Sequence, residues 1–158
     1  MSIQKKITMS AAALGLGMVM FAATAAPAAT AAPILVKTAN STQYCNEHYY
    51  DNTWQQSPPN QAMWCQVQGG PAAAGGYAGT RDGVMGTNSW IGLQRFLQDY
   101  GYQGPLDGSP GTNTYRAMQK FAAGSGAEPS YTGPQDGVMG PNSWKGFAYN
   151  MRIQFFGL

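Results

Sequence analysis

Residues able to do catalysis are few in this chain of 158 residues, and the acidic side chains come first. Hydrolysis of a glycosidic bond needs two carboxyl groups facing each other across that bond. Seven acidic residues are available. Asp82, Asp107 and Asp136 each precede a glycine, a pair that marks turns rather than catalytic clefts. Glu47 and Asp51 form a close pair inside an aromatic segment, and they keep a cryptic hydrolase among the readings. A metal site needs about three or four ligands. The chain has one histidine, His48, and Cys45-x-x-His48 is half of a zinc knuckle without a second half. A cysteine–histidine nucleophile would need Cys45 as a free thiol. There is no G-x-S-x-G, no phosphate-binding loop and no H-E-x-x-H. The expectation is a protein that is not an enzyme and uses no cofactor and no metal.

The elements that would position any such group begin after a leader. Lys5 and Lys6, the apolar run from Met9 to Ala26, and the small-x-small signal Ala29-Thr30-Ala31 make residues 1–31 read as a secretory signal peptide, with the cut expected before Ala32. An uncleaved anchor is the rival reading. The Ala- and Pro-rich end argues against it, because a spanning helix wants roughly 20 strongly apolar residues. The mature chain is expected to be extracellular, with no membrane contact after cleavage. Removing the leader takes Lys5 and Lys6 from the 9 basic residues and leaves seven against 7 acidic ones. A net charge near zero supplies no basic field for nucleic acid. Cys45 and Cys65, the only cysteines, then read as one disulfide.

Residues 32–80 read as a separate N-terminal segment. Between the cysteines it is aromatic but broken by Ser57-Pro58-Pro59, with no convincing helix period, so short irregular or strand-like pieces are expected. Gly69-Gly70-Pro71-Ala72-Ala73-Ala74-Gly75-Gly76 reads as a flexible connector.

Residues 81–158 are organised by a repeat. Asp82-Gly83-Val84-Met85-Gly86-Thr87-Asn88-Ser89-Trp90 returns nearly unchanged as Asp136-Gly137-Val138-Met139-Gly140-Pro141-Asn142-Ser143-Trp144. A looser copy, Asp107-Gly108-Ser109-Pro110-Gly111-Thr112-Asn113-Thr114-Tyr115, lies between them. Each reads as an Asp-Gly turn followed by helix-start residues. After the first copy Trp90, Leu93, Leu97 and Tyr100 keep helical spacing, with Phe96 beside them and Gly101 as the stop. Tyr115, Met118, Phe121 and Ala122 follow the second, and Trp144, Phe147, Ala148 and Met151 the third. The apolar tail Ile153 to Leu158 is expected to dock on the core or on the N-terminal segment. Trp90 and Trp144 fall in the buried phase.

The ordered set Gly92-Leu93-Gln94-Arg95-Phe96-Leu97-Gln98-Asp99-Tyr100-Gly101-Tyr102, then Leu106-Asp107-Gly108-x-x-Gly111-x-x-Thr114-x-x-Ala117-Met118-x-x-Phe121, then Asp136-Gly137-Val138-Met139-Gly140-Pro141-Asn142-Ser143-Trp144 resembles the peptidoglycan-binding-like domain family over roughly residues 82–150. The chain differs from that pattern at Pro110, where an aromatic is usual, and at Gln119, which precedes Phe121 instead of following it. It also has Ser89 and Ser143 for Thr, and an extra copy of the motif at Asp82. The resemblance implies a mainly α fold, a small three-helix bundle with Asp-Gly turns, preceded by the disulfide-closed segment. It also implies a non-catalytic module that binds peptidoglycan or a related cell-wall glycopeptide.

For such a ligand, sugar rings stack on aromatic faces, and peptide amides and carboxylates meet Asn, Gln and Arg. The candidates are Tyr102, Asn113, Tyr115, Arg116 and Arg95. Each has a plainer reading: Tyr115 as core, Asn113 as a helix cap, Arg95 and Arg116 as a solvated face. The alternative function is an extracellular protein-interaction or inhibitor protein on the same scaffold, with the Cys45–Cys65 loop as its contact surface for a secreted partner.

Overall fold

A computed structural model describes residues 40–53, 57–124 and 130–157. The expected leader and the chain up to Lys37 and Thr38 lie outside the described residues, as do Trp54 and Glu128. The described chain is mainly helical. In order come α1 (Asn40–His48), α2 (Gln61–Gly69), the single turn α3 (Pro71–Ala74), α4 (Thr87–Phe96), a 3-10 turn (Leu97–Tyr100), α5 (Thr112–Ala123) and α6 (Pro141–Phe156). Among the described residues there is no strand, and no helix is long and apolar enough to cross a membrane.

The repeated motif starts helices as its chemistry predicts. Gly86, Gly111 and Gly140 sit in extended conformation at the caps of α4, α5 and α6, and Pro141 takes the first turn of α6. Ser89 and Ser143 donate their hydroxyls to the cap carbonyls of Gly86 and Gly140, both at 2.9 Å. The Gly111 N–H is accepted by Thr114 Oγ1 instead. Gly101, at φ 81°, closes the 3-10 turn in the left-handed region.

The expectation of irregular or strand-like structure between the cysteines holds only in part: residues 49–53 and 57–60 are irregular, but α1 ends and α2 begins inside the segment. Asn60 caps α2 by accepting from the Met63 N–H at 3.0 Å. The period was hidden because α2 buries Gln66 and Gln68 beside Met63, Cys65 and Val67, so its inward face does not read as apolar. The disulfide Cys45–Cys65 is present, with both residues fully buried, and it joins α1 to α2.

The connector at 69–76 is also a correction. Pro71 and Ala72 are buried, and Gly75 lies against the backbone of α4. Its glycines serve close approach rather than freedom of movement. The core consequently runs across residue 80. Met63, Val67 and Ala72 share it with Leu93, Leu97, Met118, Phe121, Phe147 and Met151.

α2 proves to be a further copy of the repeated helix. Its first residue, Gln61, matches Thr87, Thr112 and Pro141 of α4, α5 and α6. Counting three residues on gives Trp64, Trp90, Tyr115 and Trp144. The Trp64 ring meets Trp90 and Trp144 edge-on at 5.6 and 5.7 Å, which draws together the starts of α2, α4 and α6. At its far end α6 returns to the N-terminal segment. Phe155 packs on Phe96 and Phe156 on Tyr49, with ring centroids 5.6 and 5.0 Å apart, and Arg152 donates to the carbonyls of Tyr50 and Asp51.

Candidate binding surface

One glutamine holds each Asp-Gly turn. Seven residues after the start of α2, α4 and α5 stand Gln68, Gln94 and Gln119, all fully or almost fully buried. Gln68 donates Nε2 to Asp82 Oδ1 and to the Val84 carbonyl, both at 3.0 Å, and its Oε1 accepts the Gly83 N–H at 2.8 Å. Gln94 does the same for Asp107 Oδ1, the Ser109 carbonyl and the Gly108 N–H, at 3.0, 3.2 and 3.0 Å. Gln119 repeats it for Asp136 Oδ1, the Val138 carbonyl and the Gly137 N–H, at 3.0, 3.0 and 2.8 Å. A primary amide suits this position because it donates and accepts at once.

Each turn also rests on the helix that supplies its glutamine. Gly83, Gly108 and Gly137 have φ of 69°, 72° and 83°, and a Cβ on them would strike Gln61, Thr87 and Thr112, the first residues of α2, α4 and α5. The first and eighth residues of a helix share a face, so one helix receives the whole turn.

The carboxylates complete the turns from inside. Asp82, Asp107 and Asp136 accept through Oδ1 the N–H two residues on, at 3.0, 2.9 and 2.8 Å. The Ser109 N–H and then the Gln94 amide hold the Asp107 carboxyl below the usual carboxylate range. For Asp136 the Gln119 amide comes first and the Val138 N–H second, with the charge of Arg116 adding to both.

A tyrosine completes each unit. Tyr77, Tyr102 and Tyr131 donate their hydroxyls to the carbonyls of Thr80, Pro105 and Pro134 at 2.7, 2.6 and 2.7 Å. Their own N–H groups go to the carbonyls of Ala72, Leu97 and Ala122, in the helical segments that precede them. These tyrosines were not visible in the nine-residue motif, although their spacing of 25 and 29 residues equals that of the Asp-Gly pairs.

The turns leave shallow clefts on the outer surface. One runs along the second turn past Tyr102, Pro105, Asp107, Ser109 and Asn113. Its counterpart on the third turn is lined by Tyr131, Pro134, Asp136, Val138 and Asn142, each the same position 29 residues on. Across Asn113 lies a further cleft of roughly 220 Å³, with Gln103, Arg116 and Lys120. Across Asn142 lies another, with Thr132 and Lys145. Asn113 and Asn142 therefore each divide two clefts, and a basic residue follows three positions later in both repeats.

Of the five expected ligand residues, Asn113 and Arg116 come together in one cleft, and both are exposed. Gly111 rather than Asn113 takes the helix cap. Tyr102 is only 5% exposed with its hydroxyl bound, so it lines a cleft without offering an open ring face. Tyr115 is half-buried against the core. Arg95 reaches the other way, donating Nη1 to the Gly75 carbonyl at 2.8 Å. Lys120, Asn142 and Lys145 were missed; the 29-residue register would have found the last two.

Glu47 and Asp51 line none of these clefts. Glu47 accepts from Gln43 at 2.9 Å and Asp51 pairs with His48 at 2.8 Å, both on the surface. Among the described residues no cluster of three or more His, Cys, Asp or Glu is placed to hold a metal ion. No family model, no curated protein and no solved structure matches the chain.

Proposed function

We propose that this is a secreted, non-catalytic cell-wall protein that binds peptidoglycan or a related glycopeptide through its second and third turns, as the peptidoglycan-binding-like resemblance implies. The observation that carries the reading is the pair of like clefts 29 residues apart, one with Asn113, Arg116 and Lys120 and one with Asn142 and Lys145. A ligand made of repeated units has the same amides, hydroxyls and carboxylates at intervals, and two like sites suit two such units. Amide and cationic side chains match the stem-peptide amides and carboxylates. In this reading residues 1–31 direct export, and the disulfide suits an extracellular setting.

Co-sedimentation of the chain from Ala32 onward with purified insoluble peptidoglycan is the test. Binding that falls on Asn113→Ala with Arg116→Ala supports the reading. A protein that stays wholly in the supernatant sinks it.

The second reading, a protein-interaction or inhibitor function, is favoured by the aromatic group at the end of α6. Tyr50 is 74% exposed there and stands edge-on to Tyr49 and Phe156. Binding to the wall that survives cleft variants and fails on Tyr50→Ala would move the contact surface to that group.

A further inference from the structure

Asp-Gly is among the peptide linkages most prone to rearrange on their own, and this chain sets three of them in the same cradle. We infer that Gln68, Gln94 and Gln119 are chemical guards: each holds its Asp-Gly turn closed against succinimide formation, so that Asp82, Asp107 and Asp136 are latent isoaspartate sites that react only when the glutamine lets go.

The reaction needs only water. The glycine backbone nitrogen attacks Cγ of the preceding aspartyl side chain. An N–C bond forms, a carboxyl C–O bond breaks, and the amide proton leaves with the carboxyl hydroxyl as one water molecule. The five-membered imide then takes up water at one of its two carbonyls. It reopens either as aspartate or as isoaspartate, in which the main chain runs through the former side-chain carboxyl. The product has the same mass and an extra backbone methylene.

The geometry opposes each requirement. The nucleophile must shed the glycine amide proton, which is donated to the glutamine Oε1 at 2.8, 3.0 and 2.8 Å in the three turns. The electrophile must be protonated and free to swing, yet Oδ1 accepts from the same glutamine at 3.0 Å in all three. It also accepts the N–H two residues on. One side-chain amide thus grips both reacting partners. The glycine is wedged as well, against the first residue of the receiving helix. The low carboxyl affinity for protons at Asp107 and Asp136 acts in the same direction.

The guards differ in depth. Asp82 and Gly83 are buried, and Gln68 Oε1 accepts the Asp82 N–H too, at 2.9 Å. Asp107 and Asp136 are exposed. The second and third turns therefore age before the first.

The test is peptide mapping that separates aspartate from isoaspartate after prolonged incubation of the full chain at neutral pH. The samples are the folded wild type, the same chain unfolded in urea, and the variants Gln94→Ala, Gln119→Ala and Leu97→Ala. All three turns of the folded wild type should isomerise at least about tenfold more slowly than in the unfolded chain. Gln94→Ala should raise isoaspartate at Asp107 by about tenfold and leave Asp136 near wild type, since a lost hydrogen-bonded grip acts locally. Gln119→Ala should do the converse. Leu97→Ala opens a core cavity with all three glutamines in place, so it should raise the three sites together. Equal rates in folded and unfolded wild type overturn the inference. So does a Gln94→Ala protein with Asp107 unchanged, or with all three sites raised in the proportions seen for Leu97→Ala.

Discussion

Gly75 and Gly92 meet backbone to backbone: a Cβ on Gly75 would lie 1.8 Å from the Gly92 carbonyl oxygen. The end of α3 is seated directly on the α4 backbone at this point, and Arg95 fastens the join through the Gly75 carbonyl. Gly75→Ala is expected to lower stability by about 1–3 kcal/mol through overpacking. The urea midpoint should fall without loss of helix content, and an unchanged midpoint would contradict the close approach.

Gln119→Ala removes a buried donor and acceptor together and strands the Gly137 N–H and the Val138 carbonyl. The expected cost is about 1–3 kcal/mol. Amide exchange should rise first at Gly137 and Val138, and protection of Gly83 should hold, because Gln68 guards that turn separately.

The acid limb of stability should depend on Asp107 and Asp136. Both carboxyls bind protons less readily in the folded chain than in the unfolded one. Their contribution is complete above the ordinary aspartate value of about 3.9 and is lost as pH falls through the lower folded values. Melting temperature measured from pH 5 downward should drop less steeply in the double variant Asp107→Asn, Asp136→Asn. A parallel acid limb would rule out these two as its source.

Reduction of Cys45–Cys65 opens a loop with a sequence separation of 20. The expected loss is about 3 kcal/mol on the chain-entropy view. Cys65 Sγ lies 3.0 Å from where a Cβ on Gly83 would stand, so reduction should loosen the first turn before the other two. Hydrogen exchange at Val84, compared with Ser109 and Val138, would show it.

If both clefts engage one polymer, loss of one should weaken wall binding by about tenfold or more, and loss of both should cost far more than two separate sites would. Sedimentation isotherms of Arg116→Ala, Lys145→Ala and the pair measure this. Strictly additive effects would mean that the clefts act alone.

Much of the helical part was legible because Trp90, Leu93, Leu97 and their later counterparts keep an apolar stripe behind an obvious cap. α2 was not, for a physical reason. Its inward face is shared by Met63, Cys65, Val67 and two glutamines whose partners lie outside the helix, at the Asp51 carbonyl before it for Gln66 and in the Asp82 turn after it for Gln68. The same blindness hid the clamps: Gln119 reads only as a departure from the family pattern, ahead of Phe121, until its partner at Asp136 is known. Asn113 and Arg116 are legible from their side-chain chemistry at the start of α5, and they line one cleft. Tyr102 lines a cleft with its hydroxyl turned to the Pro105 carbonyl, an i to i+3 bond that leaves no trace in composition.

α2, α4 and α5 each carry both halves of a socket, the first residue and the eighth, and each turn is a plug for the socket one step back. α6 has Ala148 where a glutamine would stand, fully buried, and no plug follows it within the described residues. A chain with one more helix-and-turn unit spliced in ahead of Pro141 would meet at both junctions the same plug and socket it already uses.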